Sequence, residues 1–283
     1  MLVEAIEDLF VPVLVYNNKK GDDETILKQF KEPAWNNPVI RYLNSDGDDV
    51  IGRKENIWTT KGTAVRMIAA LKASDARVPG YLNLVAGQRT KTQTAIFAMH
   101  CYWEGEANLG KIKGVRNTRS AWLQKKEVVE VEYDPAVVDY EMLIGQAQKM
   151  ECASTIFATT DGQQKTAERL AKEKVIRLKE DEKIRVAKTS DQKYYLRNSN
   201  YRHLPLTIAQ STKINSLLMN RQVSHDRIRS LLSPRQLDLL KLISSAKKVS
   251  PKSLDAFVFP EDDLKLREYH LKLQTTAKKV AAR

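Results

Sequence analysis

Between residues 94 and 106 the chain reads Thr94-Ala-Ile-Phe-Ala-Met-His-Cys-Tyr-Trp-Glu-Gly-Glu106, an apolar run joined to a mixture of polar and apolar residues. The run from Thr94 to Met99 has the length and composition of a buried strand. The pattern after His100 predicts a short helix that ends near Gly110, with Cys101 at its N-terminus. Unpaired backbone N–H groups at that position favour a thiolate, so Cys101 is a candidate nucleophile. The alternative is that Cys101 is an inert, buried apolar residue.

The residues that follow alternate between strand and helix patterns. The predicted segments are strand Ala95–Met99, helix Tyr102–Leu109, strands Val115–Trp122 and Glu127–Tyr133, helix Tyr140–Met150, strand Ala153–Phe157 and helix Gln163–Lys174. Apart from the last helix, they follow the β-α-β-β-α-β order of a ferredoxin-like sheet. We therefore predict an α/β (α+β) fold with this sheet at its centre.

Several segments resemble one enzyme family. Cys101-Tyr-Trp-Glu-Gly-Glu106 resembles the Gly-Cys-Phe-Trp-Gly-x-Glu signature of peptide methionine sulfoxide reductases of the A type. Five later segments of the chain resemble later segments of the same family, in the same order. They are Lys113–Thr118, Glu127–Pro135, Val138–Leu143, Ser154–Phe157 and Asp191–Leu196. The resemblance extends over residues 92–200. It implies the ferredoxin-like core of that family and, as an activity, thiol-dependent reduction of an oxidised sulfur.

The resemblance implies a catalytic pair and a resolving thiol. Cys101 matches the nucleophile of the family and Glu127 its catalytic carboxylate. Cys152 stands where the family has an oxygen-binding tyrosine, from which it could resolve a Cys101 sulfenic acid by forming a disulfide. The alternative is a pair of unrelated core thiols. The implied electron donor is thioredoxin or another thiol reductant, with no bound cofactor. The implied substrate is an oxidised-methionine peptide or a small sulfoxide.

Other residues of the same segments are implied to bind the substrate. Tyr102 and Trp103 match the aromatic pair that lines the methyl pocket of the family. Trp122 occupies the place of a second oxygen-binding tyrosine, and Glu106 closes the signature. An indole N–H can donate a hydrogen bond to the sulfoxide oxygen, although the hydroxyl group of tyrosine is lost.

The sequence also departs from the family pattern. His100 replaces the glycine before the cysteine, and Lys125-Lys126 replaces the Gly-His before the carboxylate. The glycine-rich loop between the two strands has shrunk to Leu123-Gln-Lys125. These departures support a second hypothesis, in which the cleft binds peptides or a partner protein without catalysis.

Residues 1–90 are interpreted as a thioredoxin-like β/α region that lacks a Cys-x-x-Cys motif. The predicted strands are Phe10–Tyr16 and Asn37–Leu43, and the predicted helices are Thr25–Phe30 and Thr60–Lys72. Val78-Pro-Gly-Tyr81 resembles the Val-Pro-Gly-selenocysteine motif of a group of bacterial thioredoxin-like proteins, with a tyrosine in place of the selenium residue. The alternative for these four residues is a plain turn.

Residues 91–200 would then form the reductase-like domain, and residues 201–283 a helical extension with a polar tail. Leu206–Leu218 and Val223–Leu232 have helical patterns. Ser233 and Pro234 predict the start of a further helix, with Ser233 as the N-cap.

Composition excludes several classes of protein. The chain has 283 residues, 42% hydrophobic and 29% charged, and no apolar run approaches the roughly 20 residues of a membrane span. Two cysteines cannot build a disulfide scaffold, and four scattered histidines supply no zinc-ligand set. The formal charge of +12 comes from basic residues interleaved with acidic ones, so nucleic-acid binding is only a third hypothesis. The acidic start lacks a signal-peptide pattern, and we expect a cytoplasmic protein, or a periplasmic one if the chain is a mature form.

Overall fold

The computed structural model describes residues 1–33, 38–87, 91–171, 174–179 and 181–245, together with positions 268, 271, 272, 275, 278 and 279. The chain divides into two compact units, Met1–Arg89 and Thr90–Arg283. The further domain boundary expected at residue 200 stays a prediction. None of the described helices is long and apolar enough to cross a membrane.

The described part of the first unit consists of helices and one small strand pair. The helices are α1 (Leu2–Leu9), α2 (Asp22–Gln29), α3 (Thr60–Ala73) and α4 (Gly80–Ala86), and the strands are β1 (Val39–Ile40) and β2 (Lys54–Glu55). The two strands pair antiparallel. The helix expected from Thr60 is confirmed as α3, and the Thr59 hydroxyl caps it by accepting the Gly62 N–H at 3.0 Å.

The strand expected over Phe10–Tyr16 is wrong. These residues form no strand, and the Val11, Val13 and Leu14 side chains are exposed. An apolar, β-branched composition makes a strand only where another strand pairs with it, and Pro12 lacks the N–H for such pairing. Within the described part of the unit, β1 and β2 are the only strands, which is too little for the sheet that a thioredoxin-like region needs.

Two other expectations for the first unit change in detail. The strand expected over Asn37–Leu43 is reduced to β1, and Asn37 itself lies outside the described residues. The Val78–Tyr81 motif is the start of α4, with Pro79 as its N-cap. Tyr81 is buried in the core of the unit, and this burial raises the pKa of its phenol to about 12.

The second unit is organised around a six-stranded mixed sheet. Its strands are β3 (Gln93–Ala98), β4 (Val115–Leu123), β5 (Lys126–Tyr133), β6 (Thr155–Ala158), β7 (Lys174–Arg177) and β8 (Arg185–Val186). Three helices connect these strands. They are α5 (Tyr102–Gly110) between β3 and β4, α6 (Tyr140–Lys149) between β5 and β6, and α7 (Asp161–Leu170) between β6 and β7. The order across the sheet is β7-β6-β3-β5-β4-β8.

The four central strands confirm the ferredoxin-like prediction. β6, β3, β5 and β4 are neighbours in that order and pair antiparallel, and the chain connects them in the β-α-β-β-α-β order. β7 joins β6 in parallel and β8 joins β4 antiparallel, which makes the sheet mixed. The helix predicted over Gln163–Lys174 ends at Leu170, because Lys174 already begins β7.

Alternation along the central strands gives the sheet two buried faces. Phe97 and Val129 belong to the larger apolar cluster, which includes residues of α5 and α6. Their chain neighbours Ala98 and Val128 belong to a separate cluster on the opposite face. Since successive side chains of a strand point to opposite faces, this division fixes which residues of β3 and β5 face α5.

The C-terminal helices have an apolar core of their own. They are α8 (Tyr194–Arg197), α9 (Ile208–Leu218), α10 (His225–Arg229) and α11 (Pro234–Ser245). Leu196, Ile214, Ile228 and Leu239 are all buried in this cluster. The predicted N-cap is confirmed, since Ser233 Oγ accepts the Gln236 N–H at 3.4 Å while Gln236 Oε1 accepts the Ser233 N–H at 2.9 Å. The expected polar tail, about the last thirty residues, lies almost entirely outside the described residues.

Candidate active site around Cys101

Cys101 lies where the sequence places it, at the junction of β3 and α5. It is the N-cap residue of α5, with φ −137° and ψ 114°, and its carbonyl accepts the Gly105 N–H at 3.0 Å. The thiol is free and partly exposed. The positive end of a helix and an accessible thiol are together what a nucleophilic cysteine requires.

Glu127 brings a carboxylate to the same helix end. Its Oε2 accepts the backbone N–H of Tyr102 at 2.8 Å, and its carbonyl accepts the Met99 N–H at 3.1 Å. The first hydrogen bond fixes the carboxylate one peptide unit from Cys101. The neighbouring strand therefore supplies a carboxylate at the start of α5.

Tyr102 and Trp122 form an aromatic wall. Their ring centroids are 5.7 Å apart in an edge-to-face arrangement. Tyr102 is buried, and the Asp191 carboxylate lies within electrostatic range of its hydroxyl. Burial, followed by the negative charge of Asp191, raises the pKa of Tyr102. The phenol therefore stays protonated at neutral pH and can act as a donor but not as a base.

Trp103 follows Tyr102 on α5 and is only partly buried. Its indole stacks on the Tyr194 ring, with 4.4 Å between centroids and 17° between planes. Its Nε1 is buried, and no described acceptor reaches it. Tyr195 packs edge-on against Tyr194. Burial, then the negative charges of Glu104 and ionised Cys101, raise the pKa of Tyr195, which places this phenol within electrostatic range of the thiol.

The segment that carries Asp191, Tyr194 and Tyr195 is held by two side chains. The Gln192 amide accepts the Ser120 N–H at 3.0 Å and donates to the Ser120 carbonyl at 2.7 Å. Lys193 donates to both oxygens of Glu106, through Nζ at 2.8 Å and through its backbone N–H at 2.7 Å.

Glu106 is therefore not placed to bind a substrate. Its side chain is completely buried and its two oxygens are occupied by Lys193. Lys193 Nζ also contacts the Thr118 carbonyl of β4. The role of Glu106 in the structure is to tie the segment after β8 to α5.

Cys152 is buried beside α5 rather than paired with Cys101. Both thiols are free, and Cys152 Sγ donates to the Met150 carbonyl at 3.2 Å. Burial raises the pKa of Cys152. The last registered pair of β3 and β6 is Ala98 with Thr155. If the strands continued in the same register, position 101 would lie opposite position 152. The chain instead turns into α5 at Cys101.

A cleft of about 430 Å³ opens beside the aromatic wall. It is lined by Tyr102, Trp122, Arg185, Val186, Ala187, Lys188, Ser190 and Asp191. The Arg185 guanidinium lies over the Trp122 ring, 5.7 Å from its centroid. A larger surface cleft of about 670 Å³ lies in the first unit, and its lining residues include no cysteine or histidine.

The structure thus brings Cys101, Glu127, Tyr102 and Trp122 together, and it adds residues that the sequence did not single out. Those residues are Asp191, Tyr195, Arg185 and the supports Gln192 and Lys193. The available signal was the resemblance of Asp191–Leu196 to a family segment, which gave no role to individual side chains. Among the described residues, no group of three or more His, Cys, Asp or Glu side chains could hold a metal ion.

Comparison with known proteins adds a distant structural likeness. No protein-family model and no curated protein matches the sequence. The solved structure of methionine sulfoxide reductase A of Corynebacterium diphtheriae is similar over 43% of this chain and 82% of that chain, with 16% sequence identity and a TM-score of 0.34. At that distance, the activity of this chain has to follow from its own residues.

Proposed function

We propose that the second unit is a thiol-dependent oxidoreductase in which Cys101 attacks an oxidised sulfur. The observation that carries the proposal is the partly exposed Cys101 thiol at the start of α5, with the Glu127 carboxylate bound to the next backbone N–H. The aromatic wall of Tyr102 and Trp122 beside this thiol fits an apolar group such as the S-methyl of methionine sulfoxide.

The first step converts a sulfoxide and a thiol into a sulfide and a sulfenic acid. The Cys101 thiolate attacks the sulfoxide sulfur while an acid protonates the sulfoxide oxygen. The oxygen ends on Cys101, so the substrate sulfur is reduced by two electrons and Cys101 is oxidised by two. Glu127, which receives the thiol proton and returns it to the oxygen, is the proposed acid-base group. The Tyr195 phenol is the proposed donor that holds the oxygen.

The second step removes the sulfenic acid with a further thiol. Condensation with that thiol forms a disulfide and releases water, and thioredoxin or another dithiol then reduces the disulfide. We keep Cys152 as the resolving thiol, because the extended register of β3 and β6 would set it opposite Cys101. Since Cys152 Sγ now faces the Met150 carbonyl, the disulfide requires the ends of both strands to shift.

The test is turnover of methionine sulfoxide with thioredoxin or dithiothreitol as reductant. The wild-type chain should reduce the sulfoxide, and Cys101→Ser should abolish the reduction. Cys152→Ser should still produce about one methionine per protein molecule without reductant, because it blocks only the second step. Undiminished activity of Cys101→Ser would rule out the proposal.

A second candidate is a binding protein that keeps the cleft without catalysis. It is favoured by the β4–β5 turn, in which Gln124 and Lys125 both have left-handed backbones, with φ 48° and 63°, and which leaves no loop over the thiol. Thiol labelling at neutral pH separates the two candidates. A Cys101 that reacts no faster than a free cysteine, with no sulfoxide turnover, favours the binding protein.

A further inference from the structure

The cleft beside the aromatic wall of Tyr102 and Trp122 carries charges of both signs. Arg185, Lys188 and Asp191 are its charged lining residues. In the part of the chain that the structure describes, no carboxylate forms an ion pair with Arg185 or Lys188. The Asp191 carboxylate accepts the Ser190 hydroxyl at 3.4 Å and retains further lone pairs. A cleft with separate positive and negative groups matches a ligand that carries both charges.

The sheet register fixes where the positive charge lies relative to the thiol. Arg185 of β8 is directly opposite Trp122 of β4, and Trp122 is directly opposite Glu127 of β5. Directly opposed residues of antiparallel strands project from the same face, so the three side chains form one row. Adjacent strands are about 4.8 Å apart, which puts Arg185 two strands, or about 10 Å, from the Glu127 backbone.

The Arg185 side chain points inward along this row. Its guanidinium lies over the Trp122 ring, 5.7 Å from the ring centroid, although the residue as a whole is exposed. Stacking on an aromatic face holds a guanidinium in place while its N–H groups stay available for a carboxylate. The anion-binding group therefore lies between the edge of the sheet and the thiol, at a distance that a small molecule can span.

We propose that the cleft takes a free, zwitterionic amino-acid sulfoxide, with its carboxylate on Arg185 and its ammonium group on Asp191. This inference rests on the proposed function and specifies the substrate class of that site. In such a molecule a few single bonds join the sulfoxide sulfur to both charges. A sulfoxide inside a peptide lacks both charges, and it would desolvate Arg185 without giving the guanidinium a partner.

The test compares two probes that share the methionine sulfoxide side chain and differ in whether both backbone charges are present. L-methionine sulfoxide carries both charges, and N-acetyl-methionine sulfoxide N-methylamide carries neither. We expect the wild-type chain to prefer the free amino acid in kcat/KM. Arg185→Met should lower the ratio of the two kcat/KM values about tenfold, as expected for the loss of a charge-assisted hydrogen bond of about 1.4 kcal/mol.

Arg119→Met is the matched control. Arg119 lies on the same strand as Trp122 but on the opposite face, and it is paired with Glu130 at 2.6 Å. This variant removes the same charge without touching the cleft, so it should keep the wild-type ratio. If Arg119→Met lowers the ratio of the two kcat/KM values as much as Arg185→Met does, net charge and not Arg185 sets the preference. That result would overturn the inference.

The remaining outcomes separate this inference from the proposed function. If the wild-type chain reduces both probes and Arg185→Met leaves their ratio unchanged, the inference is wrong and the oxidoreductase stands. If neither probe is reduced, the oxidoreductase fails, and calorimetry of the Cys101→Ser protein with L-methionine sulfoxide decides about the cleft. Binding that weakens about tenfold in Cys101→Ser/Arg185→Met supports the inference, and binding that does not weaken, or is absent, overturns it.

Discussion

Glu127 combines two roles in one side chain, because its carboxylate accepts the Tyr102 N–H and is one peptide unit from Cys101. Glu127→Gln should keep the helix contact through the amide oxygen but lose the ability to transfer a proton. We expect kcat for sulfoxide reduction to fall about a hundredfold or more, the typical contribution of a general acid. To measure this fall in kcat, the reaction is quenched at set times and the methionine formed is quantified, at several pH values.

Glu127→Ala is the companion variant. It should lose the proton transfer and also the hydrogen bond to α5, with a drop of about 1 kcal/mol in unfolding free energy that Glu127→Gln does not show. If Glu127→Gln retains wild-type kcat, the carboxylate is only a helix cap.

Single residues were predictable from the sequence only where a local signal existed. Cys101 and Glu127 stand in motifs that can be read directly from the chain, and the structure places both at the start of α5. Tyr195 and Arg185 belong to segments without a strong pattern, so their approach to the site depends on the sheet edge and on the supports of the following segment. Such long-range placement leaves no periodicity in the sequence.

At the level of elements, the segment Asp191–Tyr195 depends on the buried pair of Lys193 and Glu106. Lys193→Met should leave the Glu106 carboxylate buried and unpaired, which costs about 3–5 kcal/mol of unfolding free energy. Denaturant titration measures the loss.

The double variant Glu106→Gln/Lys193→Met provides the control for this prediction. It removes the unpaired charge and should recover part of the lost stability. A single variant as stable as the wild type would show that the pair contributes nothing to holding the segment.

The packing of α5 on α9 depends on the absence of a side chain at Gly110. A Cβ added there would lie 2.5 Å from Ser216 Oγ and 3.1 Å from Thr212 Cγ2. Gly110→Ala should therefore destabilise the second unit by about 1–3 kcal/mol in denaturant unfolding, despite the better helix propensity of alanine.

Two further variants bracket this prediction. Ser216→Ala removes the nearest clashing atom and should partly rescue Gly110→Ala. Gly145→Ala, in α6, meets no atom within 4 Å and should stabilise the protein by up to about 1 kcal/mol. Equal effects of Gly110→Ala and Gly145→Ala would contradict the close approach of α5 and α9.

The order of elements in the second unit was predictable, whereas in the first unit the helix from Thr60 was predictable and the strand over Phe10–Tyr16 was wrong. β3 and β5 alternate between two buried faces, and that periodicity is present in the sequence. Phe10–Tyr16 has the composition of a strand, but the structure gives it no pairing partner, and composition alone cannot supply one.

For the molecule as a whole, buried phenols set an alkaline limit to stability. Burial raises the pKa of Tyr133 to about 12, and it also raises that of Tyr140. The unfolded chain loses these protons near pH 10, before the folded chain does. Stability is therefore fully present below about pH 10 and falls as the pH rises towards the folded pKa values.

Urea unfolding at pH 8, 10 and 11 should show this loss of unfolding free energy. Tyr133→Phe should reduce the slope of the unfolding free energy against pH. Tyr133 donates to Gln93 Oε1 at 2.7 Å, so the variant should also lose some stability at every pH. An unchanged slope would mean that Tyr133 does not contribute to the alkaline limit.

The supports of the closing segment have a consequence for biosynthesis. Gln192 and Lys193 bind residues that precede them by 72 and 87 positions. On the ribosome, β3, α5 and Cys101 emerge well before the segment that completes their surroundings, and contacts over such separations form late. The nascent chain therefore passes through a stage in which its thiol is exposed to cellular oxidants without the tyrosines that would direct its chemistry.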